Sequence, residues 1–256
     1  MTQSLKDKTI FITGATSGFG SAFAKRFAAE GAKLIISGRR SERLDTLKKE
    51  LGSERIHTLT LDVRDQKAVD AAIAKLPAAF KDVDVLINNA GLALGLGRAP
   101  DILPSDWEQM IDTNIKGVLY CTHALLPQMV KRDSGYIINI GSVAGNYPYP
   151  GGNVYGATKA FLKQFSLNLR ADLLGKNVRV TNIEPGMAET EFSVVRFHGD
   201  KAKADTLYED WKPLTAEDIA ETVLWCITRP VHVNINSLEL MSIDQAFAPY
   251  ATHRKK

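Results

Sequence analysis

Along the first half of the chain, apolar residues fall in short, nearly continuous runs separated by amphipathic stretches. Thr9–Thr13, Lys33–Ser37, Ile56–Leu61 and Val83–Ile87 read as strands. Between them Ser17–Glu30, Ser41–Leu51 and Gln66–Leu76 read as helices, with Ser41 as the N-cap of the second. Strands that are apolar throughout, rather than at alternate positions, suit a parallel sheet covered on both faces. Strand–helix–strand units of about 30 residues mark a doubly wound α/β sheet. The second half predicts a long helix over Ser105–Lys131 that includes Pro127, a strand over Tyr136–Ile140, a helix over Val154–Leu174 and a strand over Val178–Ile183. Pro185 and Gly186 then interrupt the alternation. Glu189–Lys212 has mixed charge and poor strand character and reads as a short helical flap, at about 187–212. Ala216–Thr228 predicts a helix and Ile235–Met241 a last strand. No linker or internal repeat divides the chain. A single Rossmann-like α/β domain is therefore expected over 1–256, with about seven parallel strands flanked by helices.

Composition narrows the classes. With 45% hydrophobic and 24% charged residues the chain has ordinary globular make-up, which excludes disordered, collagenous and low-complexity readings. The net charge of +3 owes much to Arg254, Lys255 and Lys256, read as a solvated tail, and gives no support to a nucleic-acid or membrane-surface role. Cys121 and Cys226 are too few for a disulfide framework, so a reducing interior compartment is expected. The charged start lacks a signal peptide's apolar run, and no stretch nears the ~20 apolar residues of a membrane span; a soluble, cytoplasmic protein is expected.

Candidate chemistry begins directly after the first strand, at Thr13-Gly14-Ala15-Thr16-Ser17-Gly18-Phe19-Gly20. Glycines permit tight turning and close backbone approach to a pyrophosphate, and the following helix offers free N–H donors and a favourable dipole. Gly14, Thr16, Ser17, Gly18, Phe19 and Gly20 are the candidate phosphate-binding positions. The second strand ends Ser37-Gly38-Arg39-Arg40, with no acid between Lys33 and Arg40. A carboxylate there would hold the ribose 2′-hydroxyl of NAD, whereas arginine accommodates the 2′-phosphate of NADP. The expected cofactor is NADP(H); the alternative is a solvated arginine pair at a helix start. Tyr155 and Lys159 lie four apart on one helix and share a face. An ammonium near a phenol favours the phenolate and equips it for proton transfer. Ser142, at the end of the fifth strand, is positioned to hold a substrate carbonyl while Tyr155 delivers the proton. His57, His123, His232 and His253 lack metal-ligand spacing, and no metal is needed because the cofactor carries the hydride and the tyrosine the proton.

In order and spacing these residues resemble the short-chain dehydrogenases/reductases: the Thr13–Gly20 loop, Asn88-Asn89-Ala90-Gly91, Asn114, Ser142, Tyr155 with Lys159, and Pro185-Gly186. The resemblance implies a catalytic tetrad of Asn114, Ser142, Tyr155 and Lys159. In it Asn114 holds a relay water, and Lys159 binds the nicotinamide ribose and tunes Tyr155. It also implies that Asp62 and Val63 line the adenine site, that Asn89 contacts the cofactor, and that Pro185, Gly186 and the stretch to Thr190 lie beside the nicotinamide. Gly152–Phe161, Glu191–Ser193, Val195–Phe197 and His232–Asn236 are similar to an NADP-dependent 3-hydroxy acid dehydrogenase branch. That branch implies homotetramers acting on serine, allo-threonine, 3-hydroxypropanoate or malonate semialdehyde; similar enzymes reduce sulfoacetaldehyde to isethionate.

These substrates each carry an anion beside the reacting carbon, so the site needs a cation or several donors. Arg196 in the flap is the first candidate and Tyr149 the second, with Arg98 and His198 behind them. Alternatively, Arg196 is a surface residue paired with Glu191 or Asp200. Two other functions stay open at this level, a broad reductase of neutral carbonyls and a non-catalytic NADP-binding regulator.

Overall fold

A computed structural model describes residues 3–247; the basic tail at 254–256 lies outside them. Seven strands form one sheet: β1 (Thr9–Ile12), β2 (Lys33–Gly38), β3 (Ile56–Thr60), β4 (Val85–Asn88), β5 (Gly135–Ile140), β6 (Val178–Pro185) and β7 (Ser237–Leu240). Their order is β3-β2-β1-β4-β5-β6-β7, and every neighbouring pair is parallel. The doubly wound α/β sheet expected from the apolar runs is what forms. Alternate residues of each strand feed opposite faces. From β1, Ile10 and Ile12 enter one core with Phe23, Phe27, Leu34 and Val223, while Phe11 enters the other with Ile35, Leu86 and Leu125. Each such fully buried side chain stabilises the fold by about 1.5–3 kcal/mol.

The helices are α1 (Gly18–Ala29), α2 (Ser41–Leu51), α3 (Gln66–Ala74), α4 (Pro104–Ile111), α5 (Gly117–Arg132), α6 (Asn153–Asp172), α7 (Glu191–Arg196), α8 (Lys201–Asp205) and α9 (Ala216–Ile227). Caps match local chemistry in several places. Asp65 accepts from the Ala68 N–H ahead of α3, and Thr215 and Asp218 close a reciprocal capping box on α9.

Several boundaries differ from the sequence reading. Ser41 is not an N-cap but the first residue of α2; Arg40 takes the cap position without capping, its side chain turned back to Thr16 and Ser17. The helix expected over Ser105–Lys131 is not continuous. A π-helical turn over Asp112–Lys116 joins α4 to α5. A widened turn is retained where a side chain needs it, and here it brings Asn114 inward. β6 runs two residues beyond the expected end, to Pro185, and β7 covers only the middle of Ile235–Met241.

Candidate active site

Strand ends, loops and the stretch after β6 enclose a cleft of about 330 Å³ at the carboxyl edge of the sheet, where open α/β sheets place their ligands. One wall is the turn from β1 into α1. Gly14 (φ +66°) and Gly18 (φ +51°) occupy the left-handed region that a side chain disfavours. A Cβ on Gly14 would also stand 2.9 Å from Ala90 Cα. Asn89 ties the turn to the end of β4, its Nδ2 donating to the carbonyls of Thr13 (2.8 Å) and Gly14 (3.1 Å). Ser17 enters α1 extended, no side chain caps that helix and no acid sits in its first turn, so its end remains electropositive beside the cleft. Thr16, Ser17, Gly18 and Phe19 line the cleft. Gly20 packs helix against turn: a Cβ there would lie 2.3 Å from the Gly14 carbonyl oxygen.

At the end of β2, Arg39 and Arg40 are exposed and line the same cleft. Arg40 donates to Thr16 Oγ1 (2.9 Å) and Ser17 Oγ (2.8 Å). Sequence reasoning missed Arg43, one helical turn further on and therefore on the same face of α2. Its Nη1 donates to both oxygens of Glu191 at 2.8 Å. The i,i+3 spacing was the available signal. Asp62 and Val63 close this end. Asp62 is held by Arg64 Nη2 at 2.6 Å, and that bond keeps its carboxyl below the usual range.

The candidate chemistry lies deeper. Tyr155 is 8% exposed and Lys159 7%, both on α6 and both lining the cleft. Lys159 Nζ donates to the Ile140 carbonyl (2.7 Å) and sits 5.7 Å from the centre of the Tyr155 ring. Burial pushes the Lys159 ammonium down to about 8. Burial likewise pushes the Tyr155 phenol up to about 12, opposed by the nearby Arg196 charge and by a hydrogen bond with Ser142. Among the protein's own groups the Arg196 charge opposes that rise, while Lys159 Nζ is turned to the β5 carbonyl. Ser142 Oγ accepts from the Ala144 N–H at 3.1 Å and reaches the Pro185 carbonyl at 3.4 Å.

Asn114 is 1% exposed and lies behind the cleft wall. It accepts from the Leu92 N–H (2.9 Å) and donates to the Leu92 carbonyl (2.8 Å) and Thr158 Oγ1 (3.1 Å). A Cβ on Gly91 would stand 3.3 Å from Asn114 Oδ1 and 3.5 Å from Lys159 Nζ, so the glycine keeps space open between them.

Pro185, Gly186 and Thr190 line the wall facing the glycine turn, and α7 follows immediately. Arg196 ends α7. Its Nη2 donates to Tyr149 Oη at 3.1 Å, and its guanidinium lies 5.0 Å from the Tyr155 ring centre and 5.3 Å from that of Phe192. Its Nε is buried without a hydrogen-bond partner among the described residues. The alternative of a surface ion pair is not what forms, because Glu191 is held by Arg40 and Arg43 while Asp200 caps Lys203. Arg98 is exposed beside a neighbouring groove, and His198 faces Asp106 at 3.7 Å. Tyr208 was not singled out by sequence, and Phe192 only as part of the Glu191–Ser193 stretch; both line the cleft, and Tyr208 Oη meets Ser193 Oγ at 2.5 Å.

The residues present fit a phosphorylated dinucleotide. The glycine turn leaves the room a Cβ would fill, the uncapped helix end offers donors, and β2 ends in arginines rather than a carboxylate.

Residues 8–200 match the short chain dehydrogenase family. The chain is similar to an NADP-dependent 3-hydroxy acid dehydrogenase of Salmonella typhi, 58% identical over 96% of this chain and 99% of the relative. It is also similar to sulfoacetaldehyde reductase 2 of Chromohalobacter salexigens, 55% identical over 96% and 98% of the two chains. Among solved structures, the closed form of a serine dehydrogenase complexed with NADP+ superposes with a TM-score of 0.93 at 54% identity, over 96% of this chain and 100% of that one.

Proposed function

The chain belongs to the short chain dehydrogenase family and is an NADP-dependent oxidoreductase, and from that premise we propose that it transfers a hydride reversibly between NADP(H) and a small anionic 3-hydroxy acid or its semialdehyde. The observation that carries the substrate class is Arg196: a guanidinium hydrogen-bonded to Tyr149, stacked near the Tyr155 ring, and paired with no carboxylate among the described residues.

When bound, the cofactor supplies the hydride in reduction and accepts it in oxidation. Gly14, Thr16, Ser17, Gly18 and Phe19 would hold its pyrophosphate, Arg39 and Arg40 its 2′-phosphate, Asp62, Val63 and Asn89 the adenine side, and Pro185, Gly186 and Thr190 the nicotinamide side. Tyr155 Oη gives its proton to the carbonyl oxygen in reduction and takes it back in oxidation. A buried phenol at about 12 holds its proton at neutral pH, as a general acid must. Ser142 Oγ orients that oxygen and steadies the charge growing on it. Lys159, shifted to about 8, exchanges protons readily near neutrality and returns one towards Tyr155, through water held beside Asn114. Arg196 and Tyr149 take the substrate anion, and the 187–212 flap closes over it. The same reading makes the enzyme a cytoplasmic homotetramer.

Sulfonate and carboxylate both accept from Arg and Tyr, and the resemblance to a sulfoacetaldehyde reductase favours keeping the sulfonate as second reading. The test is NADPH oxidation with malonate semialdehyde, sulfoacetaldehyde and a neutral aldehyde of similar length, with serine plus NADP+ for the reverse direction. Arg196→Ala should cost at least about tenfold in kcat/KM on anionic substrates, the loss of one charged hydrogen bond, and little on the neutral one. Tyr155→Phe should lower kcat at least about 100-fold on all. Equal losses for neutral and anionic aldehydes in Arg196→Ala would overturn the substrate class.

A further inference from the structure

At the arginine end of the cleft a carboxylate already sits where the guanidinium groups converge. Glu191, the first residue of α7, accepts from Arg43 Nη1 with both oxygens at 2.8 Å and from Arg40 Nη1 at 3.2 Å. The arginines stand at the start of α2 and the carboxylate on the flap, so these bonds tie segments about 150 residues apart in sequence. Arg40 also grips Thr16 and Ser17 of the glycine turn, and Thr190, next to Glu191, rests against Gly18. Burial pushes the Glu191 carboxyl up, but its bonds to Arg43 and Arg40 outweigh that and hold it below the ordinary value, so it is an anion. All three side chains are 43–47% exposed, and contacts of that kind are weak enough to be exchanged for better ones.

We propose that Arg43 is a further guanidinium of the 2′-phosphate site and that Glu191 is that site's built-in occupant, displaced by a phosphorylated ribose but not by a free 2′-hydroxyl. The inference rests on the placing of the 2′-phosphate at Arg39 and Arg40 in the proposed function. A phosphate monoester carries up to two charges and three acceptor oxygens against the carboxylate's one and two, so it outcompetes Glu191 for paired guanidinium groups. An uncharged hydroxyl has no such advantage. Binding of NADP(H) therefore frees α7, and with it Phe192 and Arg196 on the same short helix. NAD(H) leaves Glu191 seated and the flap tied. Selection between cofactors then has two sources, the phosphate contacts themselves and the release of the segment bearing the substrate-anion arginine.

The test uses adenosine 2′,5′-bisphosphate and 5′-AMP as probes, with calorimetric affinity and amide hydrogen exchange over 190–197 as readouts that do not depend on turnover. The bisphosphate should bind the wild-type protein more tightly than AMP and speed exchange in α7. Arg43→Gln should weaken the bisphosphate about tenfold and leave AMP unchanged. Glu191→Gln should tighten the bisphosphate about three- to tenfold, leave AMP unchanged, and give an α7 that exchanges fast from the outset. If the bisphosphate has no advantage over AMP, the phosphate site is misplaced and the inference falls with it. Should the advantage hold while Glu191→Gln changes neither affinity nor exchange, the built-in occupant alone is overturned. An unaffected Arg43→Gln removes Arg43 from the site.

Discussion

Lys159 keeps its charged end 2.7 Å from one carbonyl and almost out of water. Folding therefore works against its protonation, and the sign of the consequence follows. Between the folded value of about 8 and the ordinary 10.5 the unfolded chain binds the proton that the folded chain has lost, so stability due to this residue rises with pH across that window. Below about pH 8 both states are protonated and the cost of burying the charge is felt in full. The stability of wild type relative to Lys159→Met should accordingly climb by up to about 3 kcal/mol between pH 8 and pH 10.5, measured by urea unfolding. A flat difference would mean that water reaches the ammonium. The neighbouring phenol responds to burial in the opposite direction, which separates donor and relay within a single turn of helix.

Among the elements, the π turn between α4 and α5 does the most for the site with the least regular structure. A continuous α-helix would keep the regular i→i−4 bonds across 112–116; the widened turn gives those up to place Asn114 against both backbone groups of Leu92, at the edge of the loop after β4. Asn114→Ala leaves a buried N–H and a buried carbonyl without partners, at about 1–3 kcal/mol each. The expected outcome is a Tm lower by at least about 4 °C in calorimetry; an unchanged Tm would show that Leu92 finds other partners. This turn also marks where sequence stops being informative. The apolar period across 105–131 is helical on both sides of the insertion, and one extra residue leaves no trace in composition. The strands were legible because residues such as Ile10, Phe11 and Ile12 have no polar face to offer, and the glycine turn because Gly14 and Gly18 adopt conformations few other residues tolerate. Arg196 was legible only as a charge in the right segment, since its bond to Tyr149 depends on packing between α7 and the loop after β5. Glu191 was read as that arginine's possible partner, and the structure gives it instead to Arg43 of α2 and to Arg40 just ahead of that helix.

For the whole molecule, the exposed apolar side chains are concentrated outside the cleft. Among the described residues Leu174 (81%), Val231 (61%) and Trp225 (46%, with the Arg229 guanidinium over its ring) are exposed, and they are the side chains a contact with other copies would cover. The proposed homotetramer should appear in sedimentation equilibrium as a four-chain mass, and Trp225→Glu should shift it to a smaller assembly; a single-chain mass for wild type would overturn it. The fold also joins its two extremes. α1, which opens from the glycine turn, has Phe23 and Phe27 in the same core as Ile219, Val223 and Ile227 of α9, and the Gln3 N–H donates to the Thr228 carbonyl. A growing polypeptide thus makes the helix of its nucleotide cradle within the first thirty residues and shelters that helix only after some two hundred more have left the ribosome. Until then Phe23 and Phe27 have only the early strands and α2 to pack against, and the α9 side of the cradle helix stays open on the nascent chain.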